Sequence, residues 1–555
     1  MSILFFKNFY YLFLKTLLHF LSKCATLKEW EENLIFTFPY GIQQFSFLCY
    51  ALFIPPKGTA ASSRCPFLHI FSAFSHTFRM KTSLQENISA IKRKLSAEDI
   101  LVHSFTAGNG VACAIVYADG IVDKELLGRL VVEPLAAHKK DSSAKEMLKA
   151  ITYPELKKET ELNAICAAVL DGNPALLLEG ADFAAIVGTK KPPARALTEP
   201  QTELVVKGPR AGFIEDIKTN MGQLRLRFKT ENLQFELFKI GRQSKTNVAV
   251  CYLQGIASEE IVKEIKAKLE AVEIDALPDS SYLSHFLCPG RPSVFKQIGT
   301  TEKPDVLAAK MAEGRIGILV DGSPVALTLP YLLVEEFQSP EDYFVNPYRA
   351  TFTRLLRIGV MLLSIYLPAL YVAAQLFKLQ LIPLGLLFTI ASSIQGLPLS
   401  PSLEVLLTLL VLEILNEASI RMPKYVGLAL SVVGALVLGE TAVKAGVIST
   451  PTVILIAFSG IGLYTVPDLV QTTSLLRLCL LVIAGSVGTY GIVLFSAFLL
   501  VYLVGKERYG APLLAPFAPI VANDLKDSLV KFPLASLTRR PAVFKSKNKT
   551  RLKGA

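Results

Sequence analysis

Hydrophobic positions follow two regimes along the chain. Between about residues 84 and 335 they come as short runs separated by polar stretches of helical spacing. The run 111–117 (Val-Ala-Cys-Ala-Ile-Val-Tyr) is rich in strand-forming residues, Asp119-Gly120 punctuates it, and a helical pattern starts at Asp123. That predicts strand, turn, helix. The pattern returns 135 residues later: Ala-Ile-Val-Tyr-Ala-Asp-Gly-Ile-Val-Asp-Lys-Glu-Leu-Leu (114–127) aligns with Ala-Val-Cys-Tyr-Leu-Gln-Gly-Ile-Ala-Ser-Glu-Glu-Ile-Val (249–262), with five of 14 positions identical. A second pair follows. Residues 176–187 and 318–329 each read as two strands joined by a tight turn of an acidic residue and glycine. The chain therefore carries an internal repeat, two related α/β subdomains at about 84–189 and 205–335, with the Lys-Lys-Pro-Pro-Ala-Arg stretch 190–195 between them.

Beyond residue 346 the apolar stretches lengthen. Four of them, 358–377, 426–443, 451–469 and 478–504, are long enough for roughly 30 Å of hydrocarbon. Two more are ambiguous. The stretch 381–394 is short and interrupted by Pro383, and 403–420 carries Glu404, Glu413 and Glu417. The expected fold class is duplicated α/β soluble N-terminal subdomains followed by an all-α polytopic membrane domain. The expected domains are 80–189, a linker 190–204, 205–345, a helical membrane domain 346–520 and a basic cytoplasmic tail 521–555.

Composition agrees with that split. Hydrophobic residues make up 51% and the net charge is +11. After Asp527 the tail holds only basic charges, from Lys531 to Lys553. A basic tail after apolar segments marks a cytoplasmic flank, and Arg354 and Arg357 mark the other end of the helical region. Both ends are then cytoplasmic and the crossings even in number: four with two partly embedded segments, or six. No nucleic-acid motif accompanies the charge, so a nucleic-acid partner is not expected. Residues 1–79 stand apart, with 14 of the 33 Phe and only three acids, Glu29, Glu31 and Glu32. They read as an upstream translation artefact before Met80, with a hydrophobic extension as the alternative.

The eight cysteines and six histidines are scattered, with no C-x-x-C pair, which predicts reduced cysteines packed as small hydrophobes. Asp119, Glu179 and Asp321 adjoin glycines and read as turn formers. Phosphate-binding glycine loops, zinc-protease helices and nucleophile elbows are missing from the sequence, so neither an enzyme nor a cofactor is expected. Polar membrane residues are the remaining candidates. Glu413 and Glu417 lie one turn apart on one helix face, and Glu404 on roughly the opposite face. They suit either a water-lined cation path or an interfacial helix. Glu440 stands one turn before Lys444, a spacing that lets the two neutralise each other. Gly485, Gly488 and Gly491 line up along the last span.

One succession of motifs goes further. It runs from 321–330 (Asp-Gly-Ser-Pro-Val-Ala-Leu-Thr-Leu-Pro) through 337–343 (Phe-Gln-Ser-Pro-Glu-Asp-Tyr) and 354–357 (Arg-Leu-Leu-Arg) to 367–371 (Leu-Pro-Ala-Leu-Tyr). With 199–203, 208–213, 241–246, 413–418, 421–423, 433–439 and 511–519, it resembles the A-subunit family of GerA-type spore germinant receptors over about residues 84–520. His103 stands where that family commonly has arginine. The resemblance implies a receptor in the inner membrane of a dormant spore. It implies a permease-like B subunit and a lipoprotein C subunit as partners, and homo-oligomerisation into a nutrient-gated cation channel. An accessory germination membrane protein of the same family, or an unrelated secondary transporter, are the alternatives.

Overall fold

The computed structural model describes residues 79–552, apart from 140–143, 152, 192–202, 204–206, 289, 291–292 and 422–436. The segment 1–79 (save Arg79) and most of the apolar run 426–443 lie outside the described residues.

The first α/β unit runs α1 (Leu84–Lys94), β1 (Ile100–Thr106), β2 (Ala112–Ala118), α2 (Lys124–Leu127, continued through Gly128–Val132 to Glu133–Ala137), α3 (Ala144–Met147), β3 (Leu156–Glu159), α4 (Leu162–Leu170), β4 (Ala175–Leu178) and β5 (Ala184–Val187). The second repeats it as α5 (Ile217–Arg227), β6 (Leu233–Ile240), β7 (Thr246–Leu253), α6 (Glu259–Glu270), α7 (Ser280–Leu287), β8 (Gly299–Thr301), α8 (Pro304–Ala312), β9 (Ile316–Val320) and β10 (Ala326–Leu329). The strand orders are β1-β2-β4-β5-β3 and β6-β7-β9-β10-β8, with every neighbour antiparallel. The duplication expected from the sequence is present strand for strand.

Both faces of each sheet are covered, which is why the inner strands read as unbroken apolar runs. In the first sheet Cys113, Ile115, Leu176 and Leu178 meet α2 and α3, while Ala114, Val116 and Leu177 meet α1 and α4. In the second, Val248, Val250 and Ile318 meet α6 and α7, while Ala249, Cys251 and Leu319 meet α5 and α8. Cys113, Cys166 and Cys251 are free thiols in these cores.

The acidic turns do more than turn. Glu179 accepts from the N–H of Leu84 at 2.9 Å, and Asp321 from that of Ile217 at 3.4 Å, so each closes the N-terminus of its repeat's first helix. Asn87 and Asn220 are equivalent too. Each is buried and exchanges two hydrogen bonds with the backbone just before its helix, at Lys81 and Ile214. Asp119, whose carboxylate accepts from the N–H of Gly120 at 3.0 Å, also pairs with Lys124 and Lys218.

The two units dock through a fully buried ion pair. Arg225 donates to Asp99 through Nε at 2.8 Å and through a terminal nitrogen at 2.6 Å. Their backbones approach closely beside it. A Cβ on Gly120 would stand 2.3 Å from the Lys218 carbonyl oxygen, and one on Gly222 2.7 Å from that of Gly120. His103, by contrast, is exposed on β1 and stacks on Phe105.

The helical half holds α9 (Pro347–Phe377), α10 (Leu384–Ile394), α11 (Pro401–Arg421), α12 (Thr450–Leu463), α13 (Val470–Val487) and α14 (Thr489–Val504). Among the described residues two helices, Pro347–Phe377 and Pro467–Val487, are long and apolar enough to cross a membrane. Two boundaries differ from expectation. The run 451–469 stops being helical at Leu463 and turns before Pro467. The run 478–504 is not one span. Gly488 sits at φ 72°, ψ −152°, a conformation that favours glycine, and the chain turns there. A Cβ at that position would stand 2.8 Å from the Phe377 ring. The three glycines thus do not form one stripe: Gly485 faces Ser402 of α11, Gly488 makes the turn, and Gly491 packs inside it against Ile483.

After α14 the chain returns to the second α/β unit. Tyr509 enters its core and donates to the Leu287 carbonyl at 2.5 Å. Phe544 is fully buried beneath Arg315, and Arg540 donates to the Ala312 carbonyl at 2.7 Å. The basic tail is thus anchored to the protein at these points, while Arg539, Lys545, Lys547 and Lys549 stay exposed.

Candidate functional site

The candidate carboxylates of the helical half have separate surroundings. Glu404, in the first turn of α11, is buried and accepts from both the N–H and the hydroxyl of Ser449 at 2.7 Å, closing the start of α12. Glu413 lies two and a half turns on. It accepts from Arg477 of α13 at 2.5 Å and from the Ser474 hydroxyl. Arg477 is buried and also donates to Ser459 of α12 at 2.9 Å, whose hydroxyl donates to the Ser364 carbonyl of α9 at 2.7 Å. One polar seam therefore joins four helices. Glu417 is exposed and pairs with Arg421 at 2.6 Å. Glu440 pairs with Lys444, as their spacing predicts. Glu413 and Glu417 share a helix but not an environment.

Arg477 is the partner that sequence reasoning missed. A span drawn from 478 leaves it as a flank. A lone cation inside an apolar run from 470 onward is instead a signal to look for a counter-charge.

The second charged cluster sits where the α/β and helical halves meet. Asp342 receives Arg354 at 2.9 Å and Arg357 at 3.0 Å on both oxygens. Arg354, fully buried, also donates to the Asp527 and Ser528 carbonyls. Burial acts to raise Asp342, but these arginines outweigh it and hold the carboxyl below its usual range. Lys531 stands 3.2 Å from the centre of the Tyr343 ring. The 337–343 and 354–357 motifs are thus the two sides of one joint.

Beside it lies a cavity of about 500 Å³, lined among others by Glu203, Lys310, Glu336, Arg357, Asp468 and Arg551. Tyr331 donates to Glu336 at 2.6 Å, and Lys296 reaches Glu336 at 3.5 Å and Asp468 at 3.1 Å. Burial, with Asp468 beside it, pushes Glu336 up to about 7 against the pull of Lys296. Burial likewise pushes Glu203 up to about 6. Glu335 goes the other way: burial acts to raise it, but Arg315 and Lys310 outweigh that and hold it at about 2.

Because Glu336 and Glu203 keep their protons more tightly when docked, their contribution is complete below their ordinary range near 4.5 and is lost as pH rises through about 6 to 7. Hydrogen exchange, corrected for its intrinsic pH dependence, is expected to be faster in 293–297 and 331–337 at about pH 8 than at about pH 5.5. Glu336→Gln should remove most of the difference, and a pH-independent wild type contradicts the assignment.

The outer surface of the helices is apolar. Leu362, Leu370, Ile454, Ile461, Val482, Val493, Phe498 and Val501 are all exposed. A face of that extent suits lipid.

Residues 86–543 match the family model described as Bacillus/Clostridium GerA spore germination protein. The chain is 34% identical over 478 residues to spore germination protein KA of Bacillus subtilis (strain 168), covering 84% of this chain and 88% of that protein. It is 31% identical to spore germination protein GerLA of Bacillus cereus, covering 85% and 97%. It is 32% identical to a Bacillus subtilis (strain 168) protein described as uncharacterized membrane protein YfkQ, covering 83% and 91%. Among solved structures, it matches the N-terminal domain of the A subunit of the Bacillus megaterium spore germinant receptor GerK3, at 30% identity and a TM-score of 0.37, covering 46% of this chain and 98% of that one. The chain belongs to the GerA spore germination protein family, as a non-enzymatic membrane protein of the germinant-receptor A-subunit type.

Proposed function

We propose that the protein is the membrane subunit of a nutrient-germinant receptor and contributes, as a homo-oligomer, to a ligand-gated cation channel in the inner membrane of the spore. A permease-like B subunit and a lipoprotein C subunit complete the receptor in this reading. The observation that carries the channel reading is α11. It sits among helices with apolar outer faces, yet holds three carboxylates, Glu404, Glu413 and Glu417. Carboxylates at membrane depth are costly unless paired or wetted. Glu404 and Glu413 are engaged with other helices, whereas Glu417 is exposed and paired with Arg421 of its own helix, which leaves it the carboxylate placed to supply charge to a shared wet axis between copies. The segment beyond α14 ties the two ends of the helical half together: Tyr509 enters the core of the second α/β unit, and Lys531 donates its N–H to Thr351 near the start of α9. That supports an even number of crossings with the α/β half and the tail both cytoplasmic.

The test removes charge without orphaning Arg477. Glu413→Gln, Glu417→Gln and Arg477→Met are combined, and nutrient-triggered cation release from spores is followed. Release is expected to slow, or to lose its cation preference, at normal receptor level. Unchanged kinetics and selectivity at normal level refute the pore role of α11.

A further inference from the structure

The loop 293–297 joins the two halves through five consecutive residues. Ser293 accepts from the Tyr502 hydroxyl of α14 at 3.1 Å. The Val294 carbonyl accepts from the Thr472 hydroxyl of α13 at 2.7 Å. Phe295 is buried in the helical half's own core, with Val466, Leu469, Leu476 and Leu480. Lys296 pairs with Asp468, just before α13, and with Glu336. Gln297 accepts from Arg508, just after α14, at 2.9 Å.

On its other side the loop has no slack. Ile298 is buried in the second unit's core, and Gly299 begins β8, the edge strand paired with β10. Thr472 stands five residues before Arg477 on the same helix, so about 7.5 Å of helix separates the loop's hydrogen bond from the buried seam. A displacement of β8 must either carry the start of α13 with it or break five contacts at once. Interfaces packed this closely switch between arrangements rather than stretch.

We propose that the loop 293–297 is the transmission element by which the second α/β unit moves α13, and with it the Arg477–Glu413 pair. The proposal rests on the channel reading above and names how that channel is regulated. Phe295 is the knob that seats the loop in the helical half. Lys296, facing Glu336 of the α/β–helix connection and Asp468 of the α12–α13 turn, sets its register by charge.

The test keeps the receptor whole and in spores. Lys296→Met removes the pairs with Asp468 and Glu336, and Thr472→Val the single hydrogen bond to the Val294 carbonyl, each at nearly constant volume. Tyr509→Phe removes a hydrogen bond at the same junction without touching the loop. Receptor level is measured alongside nutrient-triggered cation release and its ion selectivity. The expected result is release slowed by roughly threefold to thirtyfold in both loop variants, with selectivity and level unchanged, with Lys296→Arg near wild type and with Tyr509→Phe responding normally. Normal release in both loop variants overturns the proposal. So does loss of receptor in both, since the loop is then a folding element. The α11 variants separate the two readings: the channel reading fails when they leave both release kinetics and selectivity unchanged, whatever the loop variants do.

Discussion

Arg477→Met is expected to lower the level of the protein in the membrane sharply, and Glu413→Gln in the same chain to restore most of it. Arg477 is 1% exposed and holds three helices together: it pairs with Glu413 on α11, donates to Ser459 on α12, and belongs to α13. Its removal leaves the Glu413 carboxylate with Ser474 alone. Breaking one side of a buried pair costs about 3–5 kcal/mol, and because the Glu413 carboxylate left behind keeps 35% of its side chain exposed the cost here is expected toward the lower end of that range. That is a large share of a typical folding stability. Replacing both partners removes the penalty as well as the attraction, so the double variant should come within about 1–2 kcal/mol of wild type. Thermal unfolding in detergent and the amount in the membrane fraction both report it. A single variant as stable as wild type would mean that the pair carries no structural load, and would return Glu413 to the position of a free pore carboxylate.

How much of this was legible beforehand differs between the two halves. The duplicated sheets could be read because both faces of each sheet are covered, so β2, β4, β7 and β9 leave compact apolar runs with glycine turns at matching places. The sequence around Asp119, Glu179 and Asp321 showed a turn but not its second duty. Closing a helix 95 or 104 residues away is a long-range hydrogen bond that no local spacing encodes. In the helical half hydropathy shows that a stretch is apolar, not where it bends. The turn at Gly488 is one residue, set by its positive φ and by the Phe377 ring against it. The contacts of the tail were hidden for a related reason. A basic segment after apolar helices looks like a solvated flank, yet Arg540 and Lys531 are used against carbonyls and a tyrosine ring. Their charge is visible in the sequence, but their partners belong to elements far away in the chain.

The pair that docks the two α/β units gives the second large effect, and it should be asymmetric. Arg225 and Asp99 are each 1% exposed and joined by two hydrogen bonds, and Arg225 also donates to the Thr230 and Leu233 carbonyls and stacks on Phe235 at 5.1 Å. Asp99→Asn leaves a buried guanidinium, which does not lose its proton at any ordinary pH. The cost is expected near the upper end of about 3–5 kcal/mol. Arg225→Met leaves a buried carboxyl instead, and burial already favours its protonated form. Such a group escapes part of the penalty by taking up a proton. Its folded state then holds the proton more tightly than the unfolded chain does. The stability of Arg225→Met should accordingly be greatest below the ordinary carboxyl range near 3.8 and fall as pH rises through the raised value. Unfolding of the full chain in detergent, measured from about pH 5 to about pH 8, separates the cases. The deficit of Arg225→Met relative to wild type grows with pH, while that of Asp99→Asn does not grow. Equal, pH-independent deficits would show that the orphaned Asp99 is reached by water, and that the two α/β units part when the pair is broken.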